Sequence, residues 1–163
     1  MTKRTLALLT FVLSTLILTA VVFYTAYYYF DVYRATHFLD IRVEKFNITI
    51  LNSTYATTQT NILLLNPSKL IFDVIYVEER LTYDTWGQFG QYITGKIYWF
   101  DIPRPLQPFS NMTLTMDATA PKAKIEVSKT VYAEVRIFLK GPLVGEFLLN
   151  SYETLYDNYG DSQ

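Results

Sequence analysis

The sequence predicts an all-β, antiparallel sandwich of about seven strands preceded by one N-terminal transmembrane helix. Three observations carry that prediction. Thr5 to Phe30 contains no charged residue. Beyond it, short runs alternate between apolar and polar residues, the period of half-buried strands. Turn residues cut those runs so often that little room is left for helix, which points to packed sheets.

The N-terminal run comes first. At about 1.5 Å per residue, a helix from Thr5 to Phe30 covers roughly 39 Å, more than the ~30 Å hydrocarbon core of a bilayer. The excess falls at its C-terminal end, where Tyr24, Tyr27, Tyr28, Tyr29 and Phe30 form an interfacial aromatic belt. Lys3 and Arg4 precede the run, whereas all 15 acidic residues follow it. The positive-inside bias then puts the N-terminus in the cytoplasm and the rest of the chain outside. A cleaved secretory signal would have an apolar region of about 7–15 residues and a small-residue cleavage site. This run is longer and ends in bulky tyrosines, so an uncleaved anchor is expected. The alternative is a pilin-like filament subunit with the helix in the fibre core. Lys3-Arg4 suits that reading, but no Gly or Ala stands at the processing point after the pair. The expected organisation is a cytoplasmic tip at 1–4, a span at 5–30, a linker at 31–40, a sandwich at 41–155 and a polar tail at 156–163.

Strands follow in order. Apolar parity shifts between Val43 and Phe46, ahead of Ile48 to Leu51, which predicts a β-bulge. Thr57 to Leu65 is the second strand. Leu70 to Tyr83 is a long third, with Leu70, Phe72, Val74 and Tyr76 on one face and Ile71, Ile75 and Val77 on the other. Gly87 and Gly90 mark a loop before Tyr92 to Phe100. Ile102-Pro103-Arg104-Pro105 with Pro108 reads as a stiff connection. Met112 to Ala118 and Val131 to Leu139 alternate strictly. The stretch 121–130 has room for a short helix, and Gly141-Pro142 turns the chain into Val144 to Leu149.

Asn66-Pro67-Ser68-Lys69 separates the second strand from the third. Proline removes a backbone donor and disfavours helix at Asn66, and the Asn side chain can bond nearby amides as the chain reverses. The stretch from Asn61 to Tyr83, with Asn66-Pro67, apolar alternation and a Tyr-ended strand, resembles the late embryogenesis abundant group-two domain. That family is also called the water stress and hypersensitive response domain. Gly90 or Gly95, the Ile102-Pro103 to Pro108-Phe109 connection and the strand Met112 to Met116 extend the resemblance over about residues 40 to 150. It implies a fibronectin type III/immunoglobulin-like sandwich of the membrane-anchored archaeal type. It further implies roles in stress protection, lipid or partner contact and structural support, with no catalytic residue to carry over.

Little in the chain suggests chemistry. Its one histidine, His37, lies just past the aromatic belt and reads as an interfacial or linker residue. No catalytic triad pattern, phosphate-binding glycine loop or metal-ligand spacing is present, so neither catalysis nor a cofactor is expected. Glu78 and Glu79 are adjacent and should point to opposite faces, a solvated strand end. Lys69 and Asp73 read as a surface ion pair. The absence of Cys removes a disulfide framework. No basic run offers a nucleic-acid footprint.

Three glycosylation sequons begin at Asn47, Asn52 and Asn111, and an outside location would make occupancy the expectation. Trp86, Phe89, Tyr92, Tyr98, Trp99 and Phe100 read as core aromatics of a β domain, with a partner-binding patch as the other reading. The expected function is surface binding, scaffolding or envelope protection. Its partners would be the bilayer and other envelope or filament proteins, including further copies of the chain. An accessory subunit of a membrane enzyme complex is the remaining class.

Overall fold

The computed structural model describes residues 3–85, 88–128 and 130–157. Helix α1 (Lys3–Phe38) leads into seven strands: β1 (Asp40–Ile50), β2 (Tyr55–Asn66), β3 (Phe72–Thr85), β4 (Gln88–Leu106), β5 (Ser110–Pro121), β6 (Thr130–Gly141) and β7 (Gly145–Asp157). A five-residue helix, α2 (Lys122–Glu126), precedes β6, within the stretch where the sequence leaves room for one. Trp86, Gly87 and the last part of the expected tail, 158–163, lie outside the described residues.

Every strand pairing is antiparallel. A three-stranded sheet has the order β1-β2-β5 and a four-stranded sheet the order β4-β3-β6-β7. Their inner faces share one core, in which Ile62, Leu64 and Leu114 from the first sheet join Phe72, Val77, Leu81, Val135 and Ile137 from the second. Side chains also join the sheets at both seams. Glu153 on β7 accepts a 3.0 Å bond from the Val43 amide on β1, and Thr94 on β4 donates to the Thr119 carbonyl on β5 at 2.8 Å. The Val43 bond falls where β1 slips register between Val43 and Lys45, the bulge that the sequence parity predicts.

Three expectations need correction. The third strand does not keep one parity. A register shift between Val74 and Tyr76 moves the buried phase from Phe72 and Val74 to Val77, Glu79 and Leu81. The bulge turns Tyr76 outward, where it stacks between Trp99 and Phe138 at centroid distances of 4.4 and 5.1 Å. Secondly, Pro103 and Pro105 belong to β4 rather than to a connection. β4 is an edge strand, where a missing amide donor costs no ladder bond. Thirdly, Phe89, Tyr92, Tyr98 and Trp99 are exposed rather than core, whereas Phe100 packs partly against the core.

Candidate functional site

Helix α1 has two physically different parts. From Thr5 to Phe30 it is uncharged, and none of its most apolar window is buried in the protein. Large apolar residues such as Leu8, Phe11, Leu16 and Phe23 are exposed around its whole circumference. A helix apolar on every side is suited to lipid. Its hydroxyls are satisfied internally: Thr10, Thr15, Thr19 and Thr25 each donate to a carbonyl one turn back at 2.8–2.9 Å, as a low-dielectric surrounding requires. α1 is therefore long and apolar enough to span a membrane. Lys3 and Arg4 are exposed at its start, and Tyr24, Tyr27, Tyr29 and Phe30 are exposed toward its end.

Past Phe30 the helix continues to Phe38, through the stretch expected as a linker, and changes surroundings. Val32 and Ala35 are buried, as is Leu39 just beyond the helix; with half-buried Tyr28 and Asp31 they form a stripe at spacings of three and four, one helical face. That face lies on the β domain. Lys69 Nζ meets Asp31 Oδ2 at 2.5 Å. The Asp31 carboxylate raises the Lys69 pKa, and Tyr27 and Tyr28 add to the effect. This replaces the expected Lys69–Asp73 pair. The last helical turn is closed by side chains, with Thr36 Oγ1 donating to the Tyr33 carbonyl at 2.7 Å. The His37 ring lies against the Tyr33 ring, centroids 4.3 Å apart, and this residue belongs to the continuing helix rather than to a linker.

Asn66 holds the base of the domain together. It is 1% exposed, and its Nδ2 donates to the carbonyls of Leu70 at 2.7 Å and Gln107 at 2.9 Å. Its Oδ1 accepts from the Ser68 amide at 3.1 Å and the Ser68 hydroxyl at 2.7 Å. The Phe109 amide then donates to the Ser68 carbonyl at 3.0 Å. One side chain thus joins the β2–β3 loop to the β4–β5 loop, a long-range bond that local turn chemistry does not reveal. Pro67 follows at the point where the strand ends.

The sequons all belong to the three-stranded sheet or its β1–β2 turn. Asn111 is exposed on β5 and Asn52 in the β1–β2 hairpin, while Asn47 is half-buried on β1. Asn52 Oδ1 accepts from the amides of Thr54 and Tyr55 at 2.8 and 2.9 Å, so its carbonyl oxygen serves the turn.

The adjacent glutamates do point apart, but Glu79 is no solvated strand end. Glu78 sits on the outer face in an ion network with Arg80 and Arg136. Glu79 is 1% exposed between the sheets, and neither carboxylate oxygen has a hydrogen-bond partner. Burial pushes its pKa up to about 7. The Thr60 hydroxyl opposes that rise, yet the two groups do not reach hydrogen-bonding geometry and the hydroxyl too is unpartnered. Two carboxylates separated by a sheet cannot act on one substrate. Among the described residues, no group of three or more His, Cys, Asp or Glu is placed to hold a metal ion.

No protein-family model and no curated protein sequence matches the chain. Similar solved structures exist. The X-ray structure of the structural-genomics target SoR45 superposes with a TM-score of 0.52 at 9% identity, over 73% of this chain and 86% of that one. A solution structure from Arabidopsis thaliana gives 0.48 at 16% identity, covering 70% and 77%. A solution structure described as a candidate late embryogenesis abundant protein gives 0.49 at 11% identity, covering 83% and 85%. At the level of fold, the chain is a two-sheet antiparallel β domain like SoR45, carrying an N-terminal helix long and apolar enough to cross a membrane.

Proposed function

We propose that the chain is a non-enzymatic, single-pass membrane protein that presents its β domain on the outer side for binding, scaffolding or envelope protection. The observation that carries this reading is the division of α1 into a bare apolar part and a part packed on the domain through Val32 and Ala35. Such a helix holds the domain at a fixed height rather than on a slack tether. The sheet order β1-β2-β5 and β4-β3-β6-β7 supports a fibronectin type III-like sandwich. The resemblance at Asn66-Pro67 supports the late embryogenesis abundant group-two family. The outer face of the four-stranded sheet offers a binding surface, with Trp99, Tyr76, Phe138 and Leu148 in one cross-strand row. Glycans at Asn52 and Asn111 would leave that face clear.

Alkaline extraction of native membranes, followed by protease treatment of intact cells, tests the anchor and its side. Retention in the pellet with external loss of the β domain is expected. Release into the supernatant, or a protected domain, contradicts the reading. The bare helix also suits a fibre core, and negative-stain imaging with N-terminal sequencing separates that reading by showing filaments and a trimmed terminus.

A further inference from the structure

The base of the domain, next to α1, carries apolar side chains that its own core does not use. Phe109 at the β4–β5 turn is 74% exposed, Leu143 and Val144 at the β6–β7 turn are 54% and 43% exposed, and Ile71 after the β2–β3 loop is 49% exposed. Among the described residues, Phe109 and Leu143 are the two non-glycine residues with positive φ, 51° and 63°. That conformation is unfavourable for a side chain with a Cβ. It persists where the surroundings over-determine it, which is typical of functional positions. Here two unrelated turns at one end of the domain both adopt it, and both place a large apolar group in the open.

The helix fixes the height of these turns. The Lys69–Asp31 contact sets the β2–β3 loop beside the residue that follows the uncharged run. Half-buried Tyr28 lies on the same helical face as Asp31, Val32 and Ala35. The Ser68 carbonyl holds the Phe109 amide, so the β4–β5 turn stands alongside. Phe109 shares a hollow of about 250 Å³ with Asp31, Arg34, Phe38 and Lys69. The β6–β7 turn closes the same end of the four-stranded sheet, since Asp73 pairs with Lys140 and Gly141 with Gly145.

We infer that Phe109 and the Leu143-Val144 turn enter the interfacial layer of the bilayer that α1 spans, making the base of the domain a second lipid contact. The occupant follows from continuity. A helix that leaves lipid near Tyr27–Phe30 delivers these turns to the headgroup level, where aromatic and apolar side chains are favoured. Asn66 is then a positioning residue, because its bonds to the Leu70 and Gln107 carbonyls hold two of the loops at that level. This inference rests on the membrane-anchored reading above.

The chain has no cysteine, so single-site spin labels can separate the two. Full-length Phe109→Cys, Leu143→Cys and Val144→Cys variants would be labelled with a nitroxide and reconstituted in phosphatidylcholine vesicles. Leu16→Cys serves as the span reference and Val127→Cys as the far-end reference. Collision with oxygen is expected to exceed collision with an aqueous nickel complex at 109 and at 143 or 144, and at 16 by more; the order reverses at 127. Aqueous behaviour at 109, 143 and 144 with a lipid signature at 16 overturns the second contact and leaves the anchor standing. Low collision with both reagents at the turns means that protein covers them, which also overturns it. Aqueous behaviour at 16 removes the anchor and the inference together.

Discussion

The two ends of the β domain are built differently. At the base, beside α1, the buried side chains other than the fully bonded Asn66 are apolar: Leu64, Phe72, Val74, Leu106 and Leu139 are all at most 1% exposed. From mid-strand toward the far end, Thr58, Thr60 and Glu79 occupy the same inner faces. Thr58 donates to the Ala118 carbonyl at 3.2 Å, but Thr60 and Glu79 have no partner. A buried, unsatisfied carboxylate opposes folding, and apolar neighbours such as Leu81, Val131 and Ala133, each at most 1% exposed, surround it on the same inner faces. Helix α1 meets the domain at the apolar end, where Ala35 and Leu39 join the core. The two ends thus differ in how their buried polar groups are satisfied: Asn66 at the base is fully bonded, whereas Thr60 and Glu79 are not.

Substitutions at the two ends should therefore act unequally. Phe72→Ala at the base removes a fully buried ring that also meets Phe147 edge-on at 5.8 Å. It should cost about 3–5 kcal/mol, read by chemical denaturation of the detergent-solubilised chain. A loss below 1 kcal/mol would erase the distinction.

Glu79 predicts a pH dependence of known sign. In the folded chain its pKa is raised to about 7 from 4.5, so between those values the folded state keeps a proton that the unfolded state has lost. Stability is full below the lower value, falls as pH rises, and is fully reduced above the upper one, by about 3 kcal/mol in total. Glu79→Gln should flatten this part of the profile and be the more stable chain at pH 8. A native profile that rises across this window would contradict the buried, unpaired carboxylate.

Asn66→Ala should cost about 1–3 kcal/mol, because the part-buried carbonyls of Leu70 and Gln107 lose their donor. Its more specific sign is increased motion of a nitroxide at Phe109, with no change at Val127. The smallest effect is expected on the outer face. Trp99 is 62% exposed, and Trp99→Ala should remove only its contact with Tyr76, about 0.5–1.5 kcal/mol. A larger loss there would mean that the row supports the fold rather than presenting a surface.

Much of the architecture was legible in the sequence because it rests on local patterns. The uncharged run announces α1, strict alternation announces β5 and β6, and the parity slip after Val43 announces the first bulge. The second bulge was hidden. Ile71, Ile75 and Val77 are apolar on the second face of β3, so the sequence carries no parity contrast at Val74–Tyr76. Pro103 and Pro105 misled because tolerance of proline depends on whether a strand lies at an edge, a property of sheet order alone. Glu79 was misplaced for a related reason, since its inward direction depends on the hidden bulge upstream. The candidate site was only half visible. The aromatic belt is read from composition, whereas the Asp31–Lys69 contact and the Asn66 bond to Gln107 join segments that only folding brings together.

In the proposed arrangement, α1 crosses the bilayer and sets the β domain on the outer side. An impermeant thiol reagent applied to intact host cells carrying single-cysteine chains, Lys3→Cys or Val127→Cys, tests it most directly. Labelling is expected at 127 without treatment and at 3 only after the membrane is permeabilised. Labelling of both positions in intact cells, or protection of 127, would contradict it.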